Sequence, residues 1–228
     1  MPGLDGSGHL FAAFESCIAG DWKYRRLNYP ADLPASMGAY VAHAERSIGD
    51  EQAVVLLAES FSGPVAIHLA RRLGNRVKAL VLCASFATRP HLLVAWASQW
   101  PEAWLAGAAR MRWAIRGFCV GHRAPPPILG AVEAELSKLD GKTIKQRLRM
   151  LIAPDAADAL ARLDIPVLLL QPTGDRLLDP WAPKRLEELA PGAHIERLDG
   201  PHFLLQTEPQ ACWRRISDWL TLALTLTA

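Results

Sequence analysis

Cysteine is scarce in this chain, with four residues in 228. Cys17, Cys83, Cys119 and Cys212 stand far apart, with no C-x-x-C pair and no histidine run beside them. That spacing argues against a metal site or a disulfide framework, and buried free thiols in a reducing compartment are the expectation. Charge of one sign is also lacking: the formal net charge is +2, with basic and acidic residues interspersed. No basic block suits nucleic acid, and no acidic tail suits disorder. No apolar run is long enough to span a bilayer, and the opening residues Pro2-Gly3-Leu4-Asp5-Gly6 are not a basic segment followed by an apolar one. The expectation is a cytoplasmic protein without a membrane span. Internal repeats and low-complexity segments are missing too.

What remains is ordinary globular composition, 50% hydrophobic and 21% charged, enough for one sizeable core. Short apolar runs alternate with helical stretches, the pattern of an α/β fold with a mostly parallel sheet flanked by helices. Strands are expected at Lys23–Asn28, Ala53–Leu57, Val77–Cys83, Val167–Gln171 and Ile195–Leu198. Ala53–Leu57 is apolar at every position, as a strand covered on both faces must be. Helices are expected from about Ser36 to Ile48 and after Gly63, where Val65, Ala66, Leu69 and Ala70 turn inward. A last helix should begin near Glu208-Pro209, since proline suits a first helical turn.

Between Phe86 and Asp164 roughly 80 residues carry no strand signal, far beyond an ordinary connection. This stretch holds Trp96, Trp100, Trp104, Trp113 and the breaker Pro125-Pro126-Pro127. It is expected to be a helical insert, dividing the chain into residues 1–85, 86–164 and 165–228. Four-residue spacing of its first three tryptophans fits either an apolar cap over a site or a helix packing its own core.

Three polar residues follow the ends of successive apolar strands. Ser60 lies in Ala58-Glu59-Ser60-Phe61-Ser62-Gly63, an A-x-S-x-S-G version of the strand-to-helix elbow that exposes a nucleophile. Small residues two before and two after the serine permit the sharp turn, whereas the rival Ser62 has Pro64 two residues on. His202, in Gly200-Pro201-His202-Phe203, lies just past the last strand, where a general base could reach the serine from the same sheet edge. Asp175, in Gln171-Pro172-Thr173-Gly174-Asp175, could hold the imidazole tautomer and offset its charge; Asp179 and Asp199 are alternatives. The chain order Ser, Asp, His is that of one fold group of serine hydrolases. An oxyanion hole needs two backbone N–H groups. Phe61 would supply one, and the early glycine-rich loop the other, with Leu4 the candidate. As a phosphate cradle that loop lacks a preceding strand and a following Lys-Ser/Thr.

The segments PGLDGSG, LLAESFSGP, LVLCASF, PTGDRLLDP and DGPHFLLQ resemble a family of small bacterial α/β-hydrolases, from the first residue to about Pro209. The resemblance implies a Ser60–Asp175–His202 triad, an oxyanion loop at Gly3-Leu4 and a variable cap after the strand ending at Cys83. It implies no metal or organic cofactor. Substrate is left open among esters, thioesters and other acyl groups, and a serine nucleophile sets the chain apart from carboxylate-using dehalogenases.

One departure has a physical consequence. In the resembling proteins the Pro-Gly-Leu-Asp-Gly loop follows buried strands, one of which would lie between Lys23–Asn28 and the elbow strand. A gap there exposes backbone on both sides. The expectation is that Met1 is internal to a longer chain lacking its N-terminal strands here, or that another segment or partner fills the gap. The expected activity is hydrolysis of a small-molecule carboxylic ester through an acyl-enzyme. The alternatives are a non-catalytic hydrolase-like binding protein and a thioesterase or C–C bond hydrolase using the same residues.

Overall fold

The computed structural model describes residues 1–225. Four apolar runs form one parallel sheet in the order β1-β2-β3-β4: β1 Val54–Glu59, β2 Val77–Cys83, β3 Val167–Pro172 and β4 His194–Leu198. Each lies within two residues of its expected bounds. Register aligns Glu59 with Cys83, Cys83 with Leu170, and Pro172 with Leu198. The C-terminal ends of the strands therefore share one rim of the sheet.

Alternation along β2 shows why the sheet needs two covers. Leu80 and Leu82 join a core cluster with Val65, Leu69 and Leu169, while Ala79, Val81 and Cys83 join another with Leu168, Leu170, Ile216, Trp219 and Leu220. Successive side chains of a strand point to opposite faces, so both faces of a fully apolar strand must be buried. Helices α1 (Met37–Ile48) and α2 (Ser62–Leu73) cover one face, and the long helix from Pro209 to Thr225 covers the other. The hydroxyl of Ser36 caps α1 by accepting from the Ala39 amide at 3.3 Å, satisfying a donor that the first turn leaves free.

Between β2 and β3 the described residues are helical or irregular. The longer helices are α3 (Glu102–Ala109), α4 (Pro126–Ser137) and α5 (Gly141–Met150). Ile115, Val120, Leu129, Val132 and Leu136 give this segment a small core of its own. Its tryptophans are not that core. Pro101 breaks the stretch into Val94–Ala97 and α3, and Trp96, Trp104 and Trp113 are 60%, 67% and 69% exposed. Of the two readings of their four-residue spacing, a helix packing its own core is corrected: Pro101 interrupts the helix, and Trp96 and Trp104 meet Trp100 edge to face at centroid distances of 4.7 and 6.4 Å as a largely exposed cluster. Helix α6 (Trp181–Leu189) links β3 to β4, and α7 is the helix Pro209–Thr225. Residues 226–228, at the end of the apolar C-terminal tail, lie outside the described residues.

The strand expected at Lys23–Asn28 does not form. A cavity of about 500 Å³ lies between this segment and β1, lined by residues 23–27 on one side and 54–57 on the other. A strand requires a ladder neighbour, and the cavity keeps β1 out of reach. Residues 25–29 are held instead by Arg25 donating to the Ser47 carbonyl (2.7 Å), His43 to the Asn28 carbonyl (2.7 Å) and the Tyr29 amide to the Gly6 carbonyl (2.7 Å). At the rim end of the cavity Met1 pairs with β1. Its amino group donates to the Leu57 carbonyl at 2.7 Å, and its carbonyl accepts from the Glu59 amide at 3.1 Å.

The cysteines are unpaired; Cys83 and Cys212 are buried, and Cys17 and Cys119 are only half-buried. Among the described residues no helix is long and apolar enough to cross a membrane.

Candidate active site

The turn out of β1 puts Ser60 at φ +48°, a left-handed conformation that costs a non-glycine residue energy and persists only where its surroundings enforce it. The enforcing contacts are specific. The Ser60 amide donates to the Cys83 carbonyl (2.9 Å), while its own carbonyl accepts from the Gly63 amide (2.9 Å) and the Ser85 hydroxyl (2.8 Å). Gly63 is required because a Cβ there would collide with the Ser85 hydroxyl. Ala58 and Ser62 are fully buried, which explains why small residues flank the turn.

Histidine 202 follows β4 on a loop that packs into the interior, with 0% of the residue exposed. Gly200 lets the loop approach the following helical turn, since a Cβ there would meet Leu204. Gly174, after β3, donates its amide to the Gly200 carbonyl at 2.9 Å, and the Phe203 amide reaches the Cys119 carbonyl at 2.9 Å. The two rim loops are thus tied to each other and to the helical segment.

These turns bring three expected residues together. His202 Nε2 lies 2.9 Å from Ser60 Oγ, and His202 Nδ1 lies 2.7 Å from Asp175 Oδ2. Asp175 Oδ1 accepts from the Leu177 amide (2.8 Å) and the Leu178 amide (3.1 Å). Burial alone would raise this carboxyl; the adjacent imidazole, its hydrogen bond and the two amides outweigh burial and hold it below the ordinary carboxylate range. An ionised Asp175 fixes Nδ1 as the protonated nitrogen and leaves the Nε2 lone pair facing the serine hydroxyl.

The alternatives are occupied elsewhere. Ser62 has its hydroxyl bonded to Tyr29 Oη (2.8 Å) and to the Pro2 carbonyl. Asp179 accepts from the Leu92 amide (2.8 Å) and Trp181 Nε1 (3.1 Å) and pairs with His91 (3.1 Å). Asp199 accepts from the Thr173 hydroxyl at 3.3 Å.

The early loop closes over the same place. A Cβ at Gly3 would lie 3.9 Å from Ser60 Cβ and 3.5 Å from Glu59 Oε2, and Gly6 donates its amide back to the Gly3 carbonyl at 3.1 Å. Leu4 and Asp5 are therefore the central residues of a tight turn. Neither the Leu4 nor the Phe61 amide donates to another backbone group. Phe61 directly follows Ser60, and Leu4 belongs to the turn whose Gly3 lies against it.

Sequence reasoning missed three buried polar residues near this site, Glu59, Gln206 and Arg147. Glu59 accepts from Gln206 Nε2 at 3.2 Å, while Glu59 Oε1 and Gln206 Oε1 have no partner. Burial, reinforced by the nearby Asp5 carboxylate, pushes the Glu59 carboxyl up to about 7 against the pull of His202, Gln206 and the amino terminus. Arg147, on α5, is 1% exposed. A glutamate ending an apolar strand and an arginine at the buried face of a helix were the available signals.

Comparison with known proteins agrees with this architecture. No functionally curated protein matches the chain. Among solved structures, an enol-lactonase from Burkholderia xenovorans LB400 superposes with a TM-score of 0.78 at 17% identity, covering 96% of this chain and 88% of its own. An esterase from Thermogutta terrifontis superposes with a TM-score of 0.75 at 19% identity, covering 95% and 86%. A hydrolase from Oleispira antarctica reaches 0.78 at 12% identity, covering 96% and 88%. At such identities the likeness establishes the fold. The model of the alpha/beta hydrolase family matches residues 2–215, and the chain belongs to that family.

Proposed function

We propose that this protein hydrolyses a carboxylic ester of a small molecule through a covalent acyl-enzyme. The observation that carries the reading is the unbroken chain from Ser60 Oγ through His202 to Asp175, at 2.9 and 2.7 Å. His202 Nε2 takes the hydroxyl proton as Ser60 Oγ attacks the substrate carbonyl. The carbonyl π pair becomes an oxyanion, which the Leu4 and Phe61 amides receive. Collapse expels the alcohol, which takes the proton from His202, and leaves the acyl group on Ser60. Water then attacks in the same way, returning the serine and releasing the acid. Asp175 keeps Nδ1 protonated throughout and offsets the imidazolium charge.

Esterase, lactonase and deformylase neighbours accord with acyl hydrolysis as the reaction class, and an oxygen ester is the simplest substrate with which to test it. The decisive comparison is wild type against Ser60→Ala with p-nitrophenyl acetate, folding followed by circular dichroism. We expect turnover to fall by about 10³-fold or more with the fold intact, and a fluorophosphonate probe to label wild type alone. Near-wild-type turnover in Ser60→Ala removes this serine from the mechanism. A folded wild type that neither turns over nor labels points to the non-catalytic binding protein instead.

A further inference from the structure

Helix α5 brings one cation into the interior beside the early loop. Arg147 donates from Nη1 to the Leu4 carbonyl (2.7 Å), from Nη2 to the Tyr29 carbonyl (3.1 Å) and from Nε to the Tyr40 hydroxyl (3.2 Å). Each nitrogen of the guanidinium is engaged, and every acceptor is a neutral oxygen rather than a carboxylate. Taking a cation out of water without a counter-charge costs several kcal/mol, and an apolar side chain of similar volume would serve stability at least as well. A fork that satisfies three oxygens at fixed angles supplies geometry instead.

That geometry is applied to the turn proposed to hold the oxyanion. Arg147 holds the peptide unit that follows Leu4 through its C=O, and the Gly6 amide holds the unit that carries the Leu4 N–H through the Gly3 carbonyl, so the two together restrict both torsions of Leu4 and with them the direction of its amide. Three carbonyls of the loop besides that of Leu4 are held. Pro2 accepts from Ser62, Gly3 from the Gly6 amide, and Gly6 from the Tyr29 amide. The Leu4 N–H donates to no backbone group, although the carbonyls on both sides of it, those of Gly3 and Leu4, are held. Gly6 has no side chain for the same reason, since a Cβ there would run into the guanidinium. The loop and Arg147 fit each other.

We propose that Arg147 is a positioning residue for the oxyanion hole, through which the helical segment between β2 and β3 sets the orientation of the Leu4 amide. The segment then does more than cover the site, because the hole is assembled only when α5 is docked. This inference rests on the reading of Ser60 and Leu4 given above. It places Arg147 outside the reacting atoms, acting through the backbone it holds.

The decisive variant is Arg147→Lys, which keeps the charge and most of the volume but can reach only one acceptor at a time. We expect a folded protein whose kcat for p-nitrophenyl acetate falls about 10–100-fold while KM stays within about threefold. Affinity for a boronic acid that mimics the tetrahedral intermediate should fall in parallel with kcat. In Arg147→Ala, millimolar guanidinium should restore part of kcat and leave wild type unchanged. Arg147→Lys with kcat within about twofold of wild type, or with a loss confined to KM or to Tm, overturns the proposal. Should Arg147→Ala fail to fold, the lysine variant and its boronate affinity decide alone. A wild type without Ser60-dependent turnover overturns the triad reading and this proposal together; an active wild type matched by Arg147→Lys overturns the role of Arg147 only.

Discussion

Glu59 stands between Ala58, fully buried in β1, and Ser60, and its place there has a thermodynamic cost. Its carboxyl is pushed up to about 7 by burial and by Asp5. A folded-state pKa above the unfolded one means that the folded protein binds the proton more tightly. The contribution to stability is therefore fully present below about 4.5 and is lost as pH rises to about 7. Glu59→Gln should abolish that loss. We expect the variant and wild type to denature alike at pH 4, with the variant gaining on the order of 2–3 kcal/mol by pH 8. Urea melts across this range test it; a stability difference independent of pH refutes it. Asp175 has the opposite sign, its lowered pKa giving stability that disappears only as acid protonates it.

At the scale of the element, the elbow is a contest between chain and side chain. β1 and α2 are joined by a left-handed serine, and the turn closes only because Gly63 leaves room for Ser85, whose hydroxyl holds the Ser60 carbonyl. Gly63→Ala should destabilise the protein by about 1–3 kcal/mol through overpacking and lower p-nitrophenyl acetate turnover more than stability alone would. Adding Ser85→Ala removes the colliding oxygen and should recover part of the stability but not the activity, since the carbonyl loses its partner. Full recovery of both in the double variant contradicts this account. The glycine, the small flanking residues and the apolar strand before them were legible in the sequence because each meets a local demand of the turn. Ser85 was not, because it reaches the elbow from beyond the neighbouring strand.

On the whole molecule, protection should follow the sheet order. β2 has strands on both sides, whereas among the described residues β1 pairs with β2 on one side and with Met1 alone on the other. Its outer edge faces the cavity shared with residues 23–27. Amides in β2 and β3 should exchange near the global unfolding limit, and those of Val54 to Leu57 that do not point at β2 should exchange faster. Hydrogen exchange by NMR resolves the two sets. Equal protection across β1 and β2 means that the outer edge is covered. The exposure of Trp96 and Trp104 belongs to this scale too, because Pro101 breaks the helix that would have carried their four-residue period.

What the residues settled unaided was the alternation of strands and helices, the position of the elbow, and the order in which serine, aspartate and histidine follow their strands. Those features arise from periodicity and turn chemistry, which act over a few residues and need no distant partner. Four matters waited on the tertiary structure. Asp175 rather than Asp179 or Asp199 meets His202, because the tie from Gly174 to Gly200 aligns the two loops. Ser62 is taken up by Tyr29 and Pro2. Lys23–Asn28 is no strand, because a ladder needs a second backbone within reach. Arg147 meets Leu4 across 143 residues of chain, an encounter of surfaces that only packing creates.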